Sequence, residues 1–124
     1  MAVIKEEKVV YIATHAGEDP ERASLPFILG NAALAMDMEV VVALQANGVY
    51  LAKKGYVDTV FTHAHPPLKE LVESFLELGG RILVCAPCIQ ERQISEDELI
   101  DGAQVMAGAT LTSELMNASI MLTY

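Results

Sequence analysis

Gly79-Gly80-Arg81-Ile82-Leu83-Val84-Cys85-Ala86-Pro87-Cys88 decides the fold class of this chain. Arg81 to Val84 is a short apolar run with no polar alternation, the pattern of a strand buried on both faces of a parallel sheet. It passes straight into a Cys-x-x-Cys turn, and Ile89 to Arg92 reads as a short helical turn beyond it. Upstream, Leu68, Leu71, Val72, Phe75, Leu76 and Leu78 recur by threes and fours, which predicts an amphipathic helix closed by Gly79-Gly80. His63-Ala64-His65-Pro66-Pro67 separates that helix from what comes before.

The same alternation extends in both directions. Lys8 to Ala13 is a first strand, ending in the polar loop Thr14-His15-Ala16-Gly17. Asp19 is the expected N-cap of a helix with Pro20 at its first position, and Pro26 predicts a kink or a late start. Met38 to Leu44 is a second buried strand that stops at Gln45-Ala46-Asn47-Gly48. Val49 to Lys54 reads as a short helix closed by Gly55, and Tyr56 to Thr62 as a weaker, peripheral extended segment. Downstream, Ser95-Glu96-Asp97-Glu98 resembles a cap with an acidic first turn. Gln104 to Ala107 is a further short strand, Thr110 to Asn117 a helix, and Ala118 to Tyr124 a closing strand. Strands alternating with helices imply a single α/β domain over residues 1–124, with a mostly parallel β-sheet and helices on both faces.

Composition bounds the partners. The chain has 124 residues and is 52% hydrophobic, with no Trp and only seven Phe and Tyr together. So much aliphatic surface in so small a domain predicts burial between subunits, hence a homo-oligomer. The formal net charge of −9, with eight Lys and Arg in all, argues against nucleic acid and anionic membrane surfaces. No stretch reaches the roughly 18 apolar residues of a membrane span. Met1 to Lys8 lacks the basic end and apolar centre of a signal peptide, so a cytoplasmic location is expected. In that reducing setting, two cysteines are more naturally reactive thiols or metal ligands than a structural bridge.

In parallel sheets, ligands and chemistry collect outside the carboxyl ends of the strands. That rule gathers Thr14 and His15 after the first strand, Gln45 and Asn47 after the second, and Cys85 with Cys88 after the later one. A thiol at a strand end preceding a helical turn can face unpaired backbone amides, which favour the nucleophilic thiolate. Arg92 adds positive charge if the turn is helical, against Glu91 beside it. Cys85 could then attack a disulfide, a persulfide or another sulfane-sulfur donor, and Cys88 could resolve the product as an internal disulfide.

Other readings of these residues stand beside that one. Free cysteines often pack as small hydrophobes. Cys85 and Cys88 with His63 and His65 make a four-ligand zinc set, although structural zinc normally draws its pairs from short knuckles. Thioredoxin-like exchange is suggested by Cys-x-Pro-Cys, but that fold needs a later cis-proline loop and no proline follows Pro87. His15 could orient a substrate or accept a proton, or simply be a solvated loop residue. Met36, Met38, Met106, Met116 and Met121 are best explained by packing. Neither a Gly-rich phosphate loop nor a Gly-Lys-Ser motif occurs, and no metal or organic cofactor is expected.

Taken in order, the Thr14 loop with Asp19-Pro20-Glu21-Arg22-Ala23, then Gly48-Val49-Tyr50-Leu51-Ala52, then Gly79 to Cys85, then Ile100-Asp101-Gly102-Ala103 resemble the DsrE/DsrF-like family over nearly the whole chain. The resemblance implies a homotrimer, or a hexamer built from trimers. It also implies work as a sulfur carrier or sulfurtransferase subunit, with relatives in sulfur oxidation or transfer-RNA thiolation and with sulfur donor and acceptor proteins as partners. Cys85 looks like the position that carries sulfur as a persulfide, and Cys88 resembles the second cysteine of some branches. The family often follows its cysteine loop with Arg-Gly, whereas Arg92 is followed here by Gln93. The expectation is persulfide relay on Cys85 assisted by Cys88, with Arg92, His15, Thr14 and Asn47 in support. The alternatives are a non-catalytic oligomeric subunit that binds a small ligand or partner, and a Cys-x-x-Cys redox protein.

Overall fold

Strands β1 (Lys8–Ala13), β2 (Glu39–Leu44), β3 (Arg81–Cys85), β4 (Ala103–Met106) and β5 (Ile120–Thr123) form one sheet in the order β4-β3-β2-β1-β5, every neighbouring pair parallel. The computed structural model describes residues 7–124; the reading of Met1 to Glu6 as lacking a signal peptide lies outside them. The α/β fold with a parallel sheet follows from the sequence as expected. Val40 to Leu44 and Ile82 to Val84 are buried without a break, because both faces of the central strands are covered.

Helices α1 (Pro20–Ala35) and α2 (Leu68–Glu77) cover one face. Phe27 and Phe75 meet edge to face there, with centroids 5.4 Å apart, inside the larger apolar cluster. The other face is thinner. It is closed by α4 (Gly108–Met116), whose Leu111 and Leu115 pack on Val10, Val41, Ala43, Leu83 and Met106. Between β3 and β4 runs the short helix α3 (Ala86–Glu91).

Two local expectations change. Pro26 does not delay α1, which starts at Pro20 behind the Asp19 cap and runs to Ala35. The proline deprives only the carbonyl of Arg22 of its helical partner, and Arg22 is exposed, so water can satisfy it. Tyr56 to Thr62 is not extended: Tyr56–Thr59 is a 3₁₀ turn, begun by Gly55 at φ 82°. Its backbone bonds close locally, from Asp58 to Gly55 and from Val60 to Val57, rather than reaching a neighbouring strand. A longer 3₁₀ helix, Ala46–Ala52, follows β2.

Opposite the cysteines, at the amino edge of the sheet, the first residues of β1, β2 and β3 converge on α4. Arg81 donates from both terminal nitrogens to Glu114, at 3.0 and 2.7 Å, and also to Glu39 at 3.0 Å. Lys8, itself buried, pairs with the same Glu114. The Arg81 hydrogen bond foremost, and then Lys8, hold the Glu114 carboxyl down at about 2 against the opposing effect of burial. A depressed carboxylate stabilises the fold above its unfolded value of about 4.5 and loses that contribution as pH falls towards about 2. Glu114→Gln should therefore cost roughly 2 kcal/mol at neutral pH, since it leaves Lys8 buried without a counter-charge. In urea titrations the gap to wild type should close between those two pH values, and a gap that stays constant down to the lower one would exclude this origin.

Candidate functional site at the carboxyl edge

Cys85 is the last residue of β3 and the N-cap of α3, so strand passes into helix with no intervening loop. Pro87 sits in the first turn of α3, where a missing N–H costs nothing. One turn brings the Cα atoms of Cys85 and Cys88 to 5.2 Å, and the two sulfurs are joined as a disulfide. The two cysteines face different surroundings. Cys85 touches the apolar clusters of both sheet faces, whereas Cys88 packs only against the one beneath α1 and α2.

The Cys88 side is closely held. The Ala46 amide donates to Cys88 Sγ at 3.4 Å, from a residue in the left-handed region at φ 50°. Arg92 donates to the Cys88 carbonyl at 3.1 Å and, through Nε and a terminal nitrogen, to Asn47 Oδ1 at 3.2 and 3.1 Å. Its guanidinium lies 6.0 Å from the centre of the Tyr50 ring, which stacks on Tyr56. The Tyr56 hydroxyl accepts the Gly17 amide at 2.8 Å. A continuous belt thus ties α3 to the loops after β2 and β1. Gln93, the residue after Arg92, takes φ 55°, a left-handed position occupied by a side chain rather than by glycine.

The Cys85 side is open. A cavity of about 140 Å³ is lined by Cys85, Pro87, Gln45, Met106, Gly108 and Leu111. Its position follows from the topology. The connection leaving β3 packs Ile89 into the α1 and α2 face, while the connection leaving β4 puts Leu111 on the opposite face. Neighbouring strands whose chains depart to opposite sides leave a crevice at their carboxyl ends.

Of the expected site residues, Cys85, Cys88, Arg92 and Asn47 are brought together. Thr14 instead donates through its amide and its hydroxyl to the Tyr124 carbonyl, both at 2.8 Å. His15 Nδ1 lies 3.1 Å from Glu18 Oε2, and the other oxygen of Glu18 accepts the Ala16 amide, which makes a local turn. No group of three or more His, Cys, Asp or Glu side chains converges among the described residues, so His63 and His65 do not join the cysteines. Nor is any helix among them long and apolar enough to cross a membrane. Met106, Gly108 and Leu111 had no visible signal beyond their place after a short strand.

A model of the DsrE/DsrF-like family matches residues 7–124. The chain belongs to the DsrE/DsrF-like family. Its relatives include the uncharacterized proteins MJ0989 and MJ0760 of Methanocaldococcus jannaschii. MJ0989 is 32% identical over 117 residues, covering 94% of this chain and 99% of the relative. MJ0760 is 30% identical over 119 residues, covering 96% of this chain; the chain spans only 43% of that protein. Two solved structures share the fold. The ychN protein from E. coli superposes with a TM-score of 0.80 at 20% identity, covering 95% of this chain and 99% of the other. MTH1491 from Methanobacterium thermoautotrophicum, a protein of unknown function, gives 0.71 at 15% identity, covering 95% and 99%. Family and fold thus agree with the resemblance that the cysteine strand and its flanking landmarks carry.

Proposed function

We propose that this DsrE/DsrF-like protein is a sulfur carrier which, in its reduced form, accepts sulfane sulfur on Cys85 as a persulfide and hands it to a partner. The observation that carries this reading is the opening of Cys85, and not Cys88, into the cavity beside β4 and α4. About 140 Å³ admits a terminal sulfur and the end of its donor. It falls below the roughly 300–1,000 Å³ of sites for larger organic ligands, which favours relay over a small-ligand subunit. Arg92 and Asn47 brace the turn from the opposite side. The test is the intact mass of the reduced chain after brief exposure to a sulfane-sulfur donor: a gain of one sulfur on Cys85 is expected.

The Cys85–Cys88 disulfide favours a second reading, thiol–disulfide exchange without sulfur transfer. That reading predicts cycling between dithiol and disulfide with no sulfur ever gained.

The carrier works as a homo-oligomer on this proposal, a homotrimer or hexamer. What supports self-association is the edge strand β5, where Ile120, Met121 and Leu122 are 40–50% exposed. Ile120 and Leu122 continue into an apolar groove with Leu29, Met36 and Met38. A bare apolar edge invites a further chain. Sedimentation of the full chain should give a trimer or larger, and Leu122→Lys should shift it towards monomer; a monomeric wild type at micromolar concentration would count against assembly.

A further inference from the structure

We propose a further activity that rests on the carrier reading: Cys88 discharges the Cys85 persulfide as hydrosulfide, so the protein reduces sulfane sulfur at the expense of its own cysteine pair. Three observations converge on Cys88 as the resolving nucleophile.

The first is position. Cys88 Sγ is bonded to Cys85 Sγ itself, the inner sulfur of any persulfide formed there, one helical turn beyond the end of β3. The second is the sulfur-directed amide. Ala46 N–H donates to Cys88 Sγ, in the left-handed conformation that aims it there, whereas the cap position of Cys85 makes no side-chain hydrogen bond. A donor of this kind favours thiolate over thiol. The third is access: Cys85 lines the cavity, and Cys88 stands behind it on the other face of the sheet, within the Arg92 and Asn47 belt. The cavity presents Cys85 to an incoming donor, and Cys88, outside the cavity, is placed against what Cys85 holds.

The step balances as follows. The Cys88 thiolate pair attacks Cys85 Sγ and forms the Cys85–Cys88 bond. The bond from Cys85 Sγ to the outer sulfur breaks, and its electron pair leaves with that sulfur as HS⁻, which retains the persulfide proton or takes one from water. The cysteine pair is oxidised by two electrons and the sulfane sulfur is reduced to sulfide. A dithiol reductant resets the pair by attacking the accessible Cys85 sulfur. Cys88 departs as the thiolate, which the Ala46 amide is placed to receive with a hydrogen bond, and a sulfur so stabilised is the better leaving group. Transfer of sulfur to a partner then competes with this discharge.

The experiment uses the full chain, reduced with dithiothreitol, freed of reductant and given one equivalent of inorganic polysulfide. Loading breaks an S–S bond of the donor and frees its remainder as sulfide or a shorter polysulfide, so for wild type trapped hydrosulfide should exceed that donor remainder by one per chain, while the intact mass passes from one added sulfur to two hydrogens below the reduced chain. Cys88→Ser should keep the added sulfur throughout and free no hydrosulfide beyond the donor's own remainder. A wild type that keeps its added sulfur as long as Cys88→Ser would overturn the discharge step alone. Failure of Cys88→Ser to gain sulfur while Cys85 still alkylates would overturn the carrier reading and this step with it.

Discussion

Cys85→Ser is expected to abolish sulfur loading altogether, with no added sulfur in the intact mass and no hydrosulfide released at any donor concentration. The substitution removes the one thiol that lines the cavity and leaves the surroundings almost unchanged. Serine is nearly isosteric, and Cys85 is only half-buried at a strand end. Stability should therefore stay within about 1 kcal/mol of the reduced wild type, and circular dichroism and urea midpoints would verify that the loss is chemical. Cys88 is not expected to substitute, because it does not line the cavity and its sulfur is engaged by the Ala46 amide. Loading of the Cys85→Ser protein at the wild-type level would place the acceptor on Cys88 and overturn the division of roles between the two cysteines.

Gly48→Ala is expected to be among the most destabilising single-methyl additions in the chain, at roughly 3 kcal/mol or more. A Cβ at this position would lie 2.0 Å from the Ala13 carbonyl oxygen and 2.8 Å from its carbon. Both are backbone atoms at the end of β1, and the same oxygen already accepts the Gln45 amide at 3.0 Å. No rotamer change can relieve the clash, so the 3₁₀ helix after β2 must move away from the sheet. Ala46 and Asn47 move with it, and they are the partners of Cys88 Sγ and Arg92. We therefore expect a lower urea midpoint together with slower reaction of Cys88 in any molecules that remain folded. A loss below about 1 kcal/mol would mean that this backbone contact is not as close in solution.

The methyl group would fail there for a reason the sequence does not display. Gly48 reads as an ordinary turn glycine after a strand, yet its φ is not in the left-handed region; its role is to let one backbone lie against another. The left-handed positions are held in part by Ala46 and Gln93, neither of which signals such a turn. That a helical turn would carry Arg92 back beside the cysteines was legible from its spacing to Cys85, and Arg92 caps the end of that helix. Its attachment to the Cys88 carbonyl and Asn47 was not, because Asn47 belongs to a loop that approaches only after β2 and β3 pair. Thr14 and His15 were placed at the correct edge of the sheet and then engaged by nearer partners, Tyr124 and Glu18. Local hydrogen bonds of this kind leave no periodic trace.

What the sequence determined by itself is the succession of buried strands and amphipathic helices, and with it the family and the parallel sheet. Unbroken apolar runs such as Ile82-Leu83-Val84 are stable only with both faces covered, a constraint each segment carries alone. The sequence also put Cys85 at the carboxyl edge of the sheet, since a strand end is a local property. The tertiary structure alone decided that Cys85 touches both sides of that edge while Cys88 packs against only one. That division depends on α3 leaving β3 towards one face while α4 leaves β4 towards the other, a choice made by the packing of Ile89 and Leu111 against different layers. Between those departures lies the opening onto Cys85, made of residues far apart in the chain that meet only when the sheet closes.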